Sequence, residues 1–218
     1  MDTSITQLRL QAREVSRAEA ATLVAAYHYL GTLNANLCFG VGDPLEAVAA
    51  YGPCHMPKAP EGFIELRRLV KRPDAVLSLS AFLADTLRQL KRRGVRAVLT
   101  WADPAAGHHG GIYQATNWVY NEPRSYNWNS HFKTEDGSVV DHREAYKRFG
   151  TSSKTKVLAL NPGWTAFLPA MKYRYVMPLN APKAECLAAL NARELPYPKP
   201  AVTGPREKRI ASKRRYTA

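Results

Sequence analysis

Hydrophobic and polar positions change period several times along this chain, and each change predicts an element. From Gln7 to Val15, Leu8, Leu10 and Ala12 alternate with polar neighbours, the two-residue period of a half-buried strand. Ser16 and Glu19 form a capping box. Ala20, Leu23, Val24 and Tyr27 then share one face of a helix that Gly31 stops in the left-handed region. Leu37 to Val41 and Ala47 to Tyr51 are short strands joined through Gly42-Asp43-Pro44, a hairpin signal. After a proline-rich loop from Pro53 to Pro60, the segment Phe63 to Val70 reads as a strand with charges on both faces. Phe63, Glu65, Arg67 and Leu69 point one way, and Ile64, Leu66, Arg68 and Val70 the other. Charges inside a central strand are costly unless paired or lining a cleft. Glu65 and the arginines therefore either mark a cleft or pair across a solvated face. A helix follows, capped by Ser78 or Ser80, with Phe82, Leu83, Leu87 and Leu90 at helical spacing and a basic end, Lys91 to Arg93, before Gly94. Val95 to Trp101 predicts the next strand, and Tyr173 to Leu179 the last.

The densest chemistry lies between those last two strands. Trp101 to Asn121 reads as a strand end at Asp103-Pro104, a glycine-rich turn through Gly107, His108, His109 and Gly110, and a helical turn from Ile112 to Ala115. A strand end fixes Asp103, glycines let backbone approach a ligand, and a helix start offers unpaired N–H groups. Asp103 as a plain helix cap in a connecting loop is the alternative. His28 and Tyr29 lie at the end of the opening helix, where the helix dipole alone would also account for a histidine.

Charge adds a partner to this picture. The 218 residues carry 31 Lys and Arg against 18 Asp and Glu, a net +13 with a pI near 9.8, so a polyanion is expected, nucleic acid first. From Arg124 to Thr155, aromatic residues interleave with cations, which suits bases and phosphates; a surface excursion is the alternative. A hydrophobic content of 45% suffices for one buried domain. The expected layout is a catalytic domain over residues 1–180, with a polar insertion at about 121–156, and a basic, proline-rich tail over 181–218. Cys38, Cys54 and Cys186 have no metal or disulfide spacing, and Cys38 reads as a small core residue. The first ten residues lack a signal-peptide layout, and no apolar run approaches the roughly 20 residues of a membrane-spanning helix. A cytoplasmic protein with no membrane partner is expected.

The element order resembles the acetyltransferase fold of the GNAT superfamily, an α/β fold in which a mixed sheet is flanked by helices and a cleft opens beside the fourth and fifth strands. In that superfamily the turn after the fourth strand carries an Arg/Gln-x-x-Gly-x-Gly/Ala signature that holds the pyrophosphate of coenzyme A. Here the turn runs from Lys71 to Ser78, has no glycine and contains Asp74. More specifically, His28-Tyr29, the Glu-Leu-Arg-Arg strand with Arg68, and Asp-Pro-Ala-Ala-Gly-x-x-Gly-x-Ile-Tyr-Gln-Ala-Thr-Asn-Trp from Asp103 to Trp118 resemble the Mom proteins of Mu-like phages. The resemblance runs from about Val15 to Pro178. It implies conversion of adenine in double-stranded DNA to N6-carbamoylmethyladenine, which shields phage DNA from host restriction in the host cytoplasm.

By this resemblance His28, Tyr29, Asp103 and Tyr113 are the catalytic candidates. Arg68, Ser80, Gly107, Gly110, Asn117 and Trp118 are expected to contact substrate or donor, and Arg124, Lys133, Lys147, Arg148, Lys154 and Lys156 to contact DNA. The target base would be flipped into a pocket, with Tyr113, Trp118 or Tyr29 stacking on it, Asp103 accepting from N6, and His28 as general acid or base. An activated glycyl ester such as glycyl-tRNA is the preferred donor, slightly ahead of acetyl-CoA, because it already holds the added framework. Iron is implied for the family, with His28, Asp103, His108 and His109 as candidate ligands, though no spacing demands a metal. The competing readings are a GNAT N-acetyltransferase using acetyl-CoA and a basic nucleic-acid-binding protein without chemistry.

Overall fold

The capping box between Ser16 and Glu19 is formed in full: Glu19 N–H donates to Ser16 Oγ at 3.1 Å and Ser16 N–H to Glu19 Oε2 at 2.9 Å. Such a cap contributes about 1 kcal/mol to the helix it starts. These contacts belong to a computed structural model that describes residues 11–56, 58–123, 130–169 and 171–199. The chain runs β1 (Arg13–Val15), α1 (Arg17–Tyr27), β2 (Leu37–Val41), β3 (Ala47–Pro53), β4 (Phe63–Lys71), α2 (Leu79–Arg92) and β5 (Ala97–Ala102). A 3-10 turn (Pro104–Ala106), α3 (Gly111–Gln114) and β6 (Val119–Pro123) follow. Then come β7 (His131–Lys133), β8 (Val139–Val140), α4 (His142–Phe149), α5 (Lys154–Leu160), β9 (Thr165–Phe167), β10 (Tyr173–Pro178) and α6 (Lys183–Ala189).

The main sheet has the order β1-β2-β3-β4-β5-β10-β6. Its described neighbours are antiparallel apart from β4 and β5, which run parallel and pair only from Phe63–Ala97 to Glu65–Leu99. Beyond that point the two strands diverge and leave a notch in the sheet. This is the mixed α/β sheet with a cleft at the fourth and fifth strands that the element order implies. One face packs on α2, whose Phe82, Leu83, Leu87 and Leu90 are buried with Phe39, Tyr51, Leu66, Trp118 and Tyr175. The other carries α1 over Val48, Ala50 and Val70, and α6 over Phe63, Leu99 and Val176. Each such buried apolar side chain contributes roughly 1.5–3 kcal/mol.

A β-bulge resolves the two-faced charge pattern of β4. Tyr51 pairs with Leu66 but Ala50 pairs with Arg68, so Arg67 is one residue in excess. Strict alternation would put Arg68 on the same face as Leu66, toward α2. The extra residue resets the alternation, and Leu69 joins the α2 core while Val70 joins the α1 core. Arg68 consequently emerges on the α1 side of the sheet. Glu65 is buried, 7% exposed, and accepts from His55 N–H at 3.1 Å.

Several sequence expectations change. Of the predicted strand from Gln7 to Val15, the described part is strand over Arg13–Val15, and residues 1–10 lie outside the described set. The helix α1 does not end on Gly31. It ends on His28, whose backbone turns extended (φ −97°, ψ 134°) after its N–H bonds Val24 O. Ser78, not Ser80, caps α2 by accepting from Ala81 N–H at 3.3 Å. The insertion, expected as one polar stretch, contains a three-stranded sheet in the order β8-β7-β9 with α4 and α5 over a core of Phe132, Val140, Ala145 and Val157. Residues 181–199, expected as the start of a loose tail, pack on the main domain instead. Cys186 and Leu190 are buried, Leu195 N–H bonds Tyr120 O at 2.9 Å, and Tyr197 donates its hydroxyl to Trp118 O at 2.7 Å. The rest of the tail, 200–218, lies outside the described residues. Among the described residues no helix is long and apolar enough to cross a membrane.

Candidate functional site at the strand notch

The notch is lined from three directions. From below, Arg68 leaves the bulge and donates to Thr32 O at 2.8 Å and Arg67 O at 2.6 Å, which fixes its guanidinium under the loop after α1. From that loop come His28 and Tyr29, their rings stacked at 4.7 Å. From the end of β5, Asp103 enters with its carbonyl accepting from both Ala106 and His108 N–H, a wrap that Gly107 permits with φ +78°. That wrap brings the His108 ring to 5.7 Å from Tyr29.

Tyr113 approaches from inside the sheet. The Thr100 hydroxyl sits 3.0 Å from Leu66 O and 3.3 Å from the Tyr113 hydroxyl, bridging the diverging strands where their own pairing stops. Its ring packs 5.3 Å from both Trp118 and Tyr175. His28, Tyr29, Arg68, Asp103, His108 and Tyr113 are thus brought to one place. Tyr29 feels the charges of Asp103 and Arg68 as well as the Tyr113 hydroxyl.

Protonation states follow from burial and neighbours. Burial, then the Arg68 guanidinium and His108, push His28 down to about 4, so its ring is neutral near pH 7. Its Nδ1 accepts from Leu30 N–H at 3.2 Å, which leaves the ring proton on Nε2. The neutral ring therefore presents an N–H donor at Nε2. Burial, reinforced by Asp103, raises Tyr29 to about 12, and burial raises Tyr113 as well, so both phenols keep their protons.

Sequence reasoning missed Lys172, whose Nζ lies 3.1 Å from Asp103 Oδ2. Antiparallel pairing of Tyr173 with Ala102 sets Lys172 opposite Asp103 just beyond both strand ends. That pairing depends on sheet register and leaves no local mark in the sequence. His131 of the inserted unit also lies within electrostatic reach of Lys172 and Asp103.

Other expected contacts move away from the substrate. Trp118 is fully buried in the α2 core and cannot stack on an incoming base. Gly110 (φ +84°) is needed for packing, because a Cβ there would meet the Tyr175 ring at 2.4 Å. Asn117 (φ +61°) is an exposed turn residue after α3, and Ser80 bonds Ser78 Oγ at 3.0 Å at the start of α2. Lys133, Lys147, Arg148, Lys154 and Lys156 are all exposed on the inserted unit, while Arg124 lies outside the described residues. Concavities of about 330 Å³ beside Arg17 and Arg67 and about 790 Å³ beside Trp164 are lined by none of the six clustered residues. Titratable groups converge at the notch and not at either hollow, which makes the notch the candidate site.

Neither implied cofactor fits closely. In the turn after β4, Arg72 pairs with Asp74, and Lys71 Nζ bonds Ala75 O at 3.1 Å and Leu77 O at 3.4 Å. The loop is tied by its own side chains and carries an exposed carboxylate, Asp74. Among the described residues no group of three or more His, Cys, Asp or Glu side chains is arranged to hold a metal ion. His28 Nδ1 and Asp103 already have partners in Leu30 and Lys172, so the residues suggested for iron do not form a ligand set.

Solved structures similar to the chain include the ribosomal-protein-S18-alanine N-acetyltransferase of Escherichia coli, with 12% identity over 79% of this chain and 95% of that one and a TM-score of 0.47. An N-acetyltransferase from Staphylococcus aureus Mu50 is similar at 12% identity over 78% and 98%, TM-score 0.46. A Bacillus subtilis acetyltransferase in complex with CoA follows at 12% over 78% and 98%, TM-score 0.44. No curated protein matches. The profile of the Mom protein family matches residues 9–199, well beyond the stretch its motifs occupy. The chain belongs to the Mom protein family.

Proposed function

We propose that this protein is a transferase that converts adenine in double-stranded DNA to N6-carbamoylmethyladenine, protecting that DNA from restriction. The observation that carries the reading is the convergence of Tyr29, Arg68, Asp103 and Tyr113 on the β4–β5 notch, in a family defined by DNA modification. Adenine N6 is tied up in pairing inside a duplex, so the base is extruded to reach the site. Tyr29, 54% exposed, offers the stacking surface, and buried Trp118 does not. Asp103 accepts from the exocyclic amine, and Lys172 holds that carboxylate in place. Arg68 and the His28 Nε2–H polarise the acyl group, and the protonated Tyr113 hydroxyl supplies a proton at the notch.

An activated glycyl ester balances the reaction without an oxidant. Its amine attacks C6 and forms a C–N bond, and the original N6 leaves C6 as ammonia. That nitrogen then attacks the ester carbonyl, expelling the alcohol and completing the amide. The self-tied turn after β4 favours this donor over acetyl-CoA and also argues against an ordinary N-acetyltransferase. Asp103→Asn and Tyr113→Phe are expected to lower modified adenine at least about 100-fold while leaving duplex affinity within about 2-fold. Mass spectrometry of nucleosides from DNA co-expressed with each variant measures this, and undiminished modified adenine dismisses the assignment. Supplying purified protein with labelled glycyl-tRNA or labelled acetyl-CoA identifies the donor, with label entering DNA from the glycyl ester expected.

A further inference from the structure

The inserted unit does more than carry scattered cations. Asp141 caps α4 by accepting from Arg143 and Glu144 N–H, both at 2.8 Å, and Gly150 ends it with φ +66°. Between these stops, helical periodicity sorts the side chains by direction. Ala145 is buried and Phe149 packs on the unit's core. His142 stacks on His131 at 6.0 Å, and His131 in turn lies within reach of Asp103 and Lys172. Tyr146 stands one turn beyond His142 on the same stripe and is 63% exposed. Arg143 and Lys147 occupy the outermost stripe, and the charge of Arg143 is felt by Arg68. Glu144, the one acidic residue of α4, is bound by Arg148 at 2.7 Å on the opposite side. Lys154 and Lys156 add exposed charge at the start of α5. An aromatic ring set among exposed cations that have no acidic partner among the described residues, beside the notch, matches a polyanion whose bases can stack.

We propose that the outward face of α4, made by Arg143, Tyr146 and Lys147, seats duplex DNA next to the notch, with the Tyr146 ring entering the base stack where the target adenine leaves it. The inference rests on the modification reading and names how that site's substrate is held. Arg143 and Lys147 neutralise phosphates. Tyr146 occupies the gap left by extrusion, which slows the base from falling back.

The test uses the full chain, a duplex in which 2-aminopurine replaces an adenine, and a structured RNA of similar charge. Arg143→Ala with Lys147→Ala is expected to weaken duplex binding about 10-fold and to flatten the log–log salt dependence by about 2, one unit for each lost phosphate contact. Tyr146→Ala is expected to keep duplex affinity within about 3-fold, yet to lose most of the 2-aminopurine fluorescence rise and about 10-fold of the modified adenine. Tyr146→Trp retains both, because a ring and not a hydroxyl is required. Unchanged affinity and salt slope in the double variant, full extrusion by Tyr146→Ala, or a loss confined to RNA overturns the proposal. If the wild-type protein marks no adenine while the double variant still loses duplex binding, the chemistry falls and this docking face stands.

Discussion

The notch and the inserted unit hold charged and aromatic groups of the same kinds under opposite conditions. At the notch, His28, Tyr29 and Arg68 are partly desolvated, and burial is the largest cause of each one's displaced protonation. On the inserted unit, Arg143, Lys147, Lys154 and Lys156 stand in water beside an exposed ring. Desolvated groups with fixed protons can polarise and position a reacting atom, whereas solvated cations attract phosphate at a distance and release it easily. The two regions also differ in how they are built. The notch draws on segments from Tyr29 to Lys172 that only the sheet brings together, but the inserted unit closes its own core within residues 131–167.

That comparison breaks most sharply at Phe132, which is fully buried in the small core. Phe132→Ala is expected to cost about 3–5 kcal/mol. Amide hydrogen exchange should then show protection lost across the inserted unit and kept in β3 and β5. Loss in both would mean that the two regions form one cooperative structure. A smaller effect is expected at Lys172. Lys172→Met should slow turnover about 10-fold, about 1.4 kcal/mol in the barrier, with duplex affinity unchanged and Lys172→Arg retaining activity. Unchanged turnover would reduce the Asp103 pair to an ordinary exposed ion pair.

The smallest expected effect concerns His28 and pH. The unfolded chain takes up the proton near the ordinary value of 6.5, the folded chain only near 4. This contribution to stability is therefore complete above pH 6.5 and is lost as the pH falls toward 4. After allowance for solvent screening of a half-buried ring, it amounts to about 1–2 kcal/mol. Chemical denaturation of wild type and His28→Asn at pH 7 and 4.5 measures it, and equal acid sensitivity in the two would place His28 in water.

Much of the main domain was legible because its signals are local. The Ser16–Glu19 capping box, the amphipathic stripe of α2 and the apolar run of β5 each declare an element within a few residues. The motif from Asp103 to Trp118 lies on the loop that runs along the notch. What it could not reveal is which of its members face the notch. Tyr113 reaches the notch whereas Trp118 and Gly110 serve packing, because the turn of α3 directs neighbouring side chains to different layers. The insertion was expected as a polar stretch, but its own small fold was not, because strands of two or three residues are too short to show a period.

By itself, then, the sequence determined the order of the main elements, their caps, the excess of positive charge and the set of chemically active residue types. Tertiary structure alone decided that a single extra residue in β4 turns Arg68 toward His28, that register sets Lys172 against Asp103, and that the chain after Asn180 folds back onto Tyr120 and Trp118. Local preference acts over a few bonds. Facing, register and burial depend on partners far along the chain and become defined only when the sheet has formed.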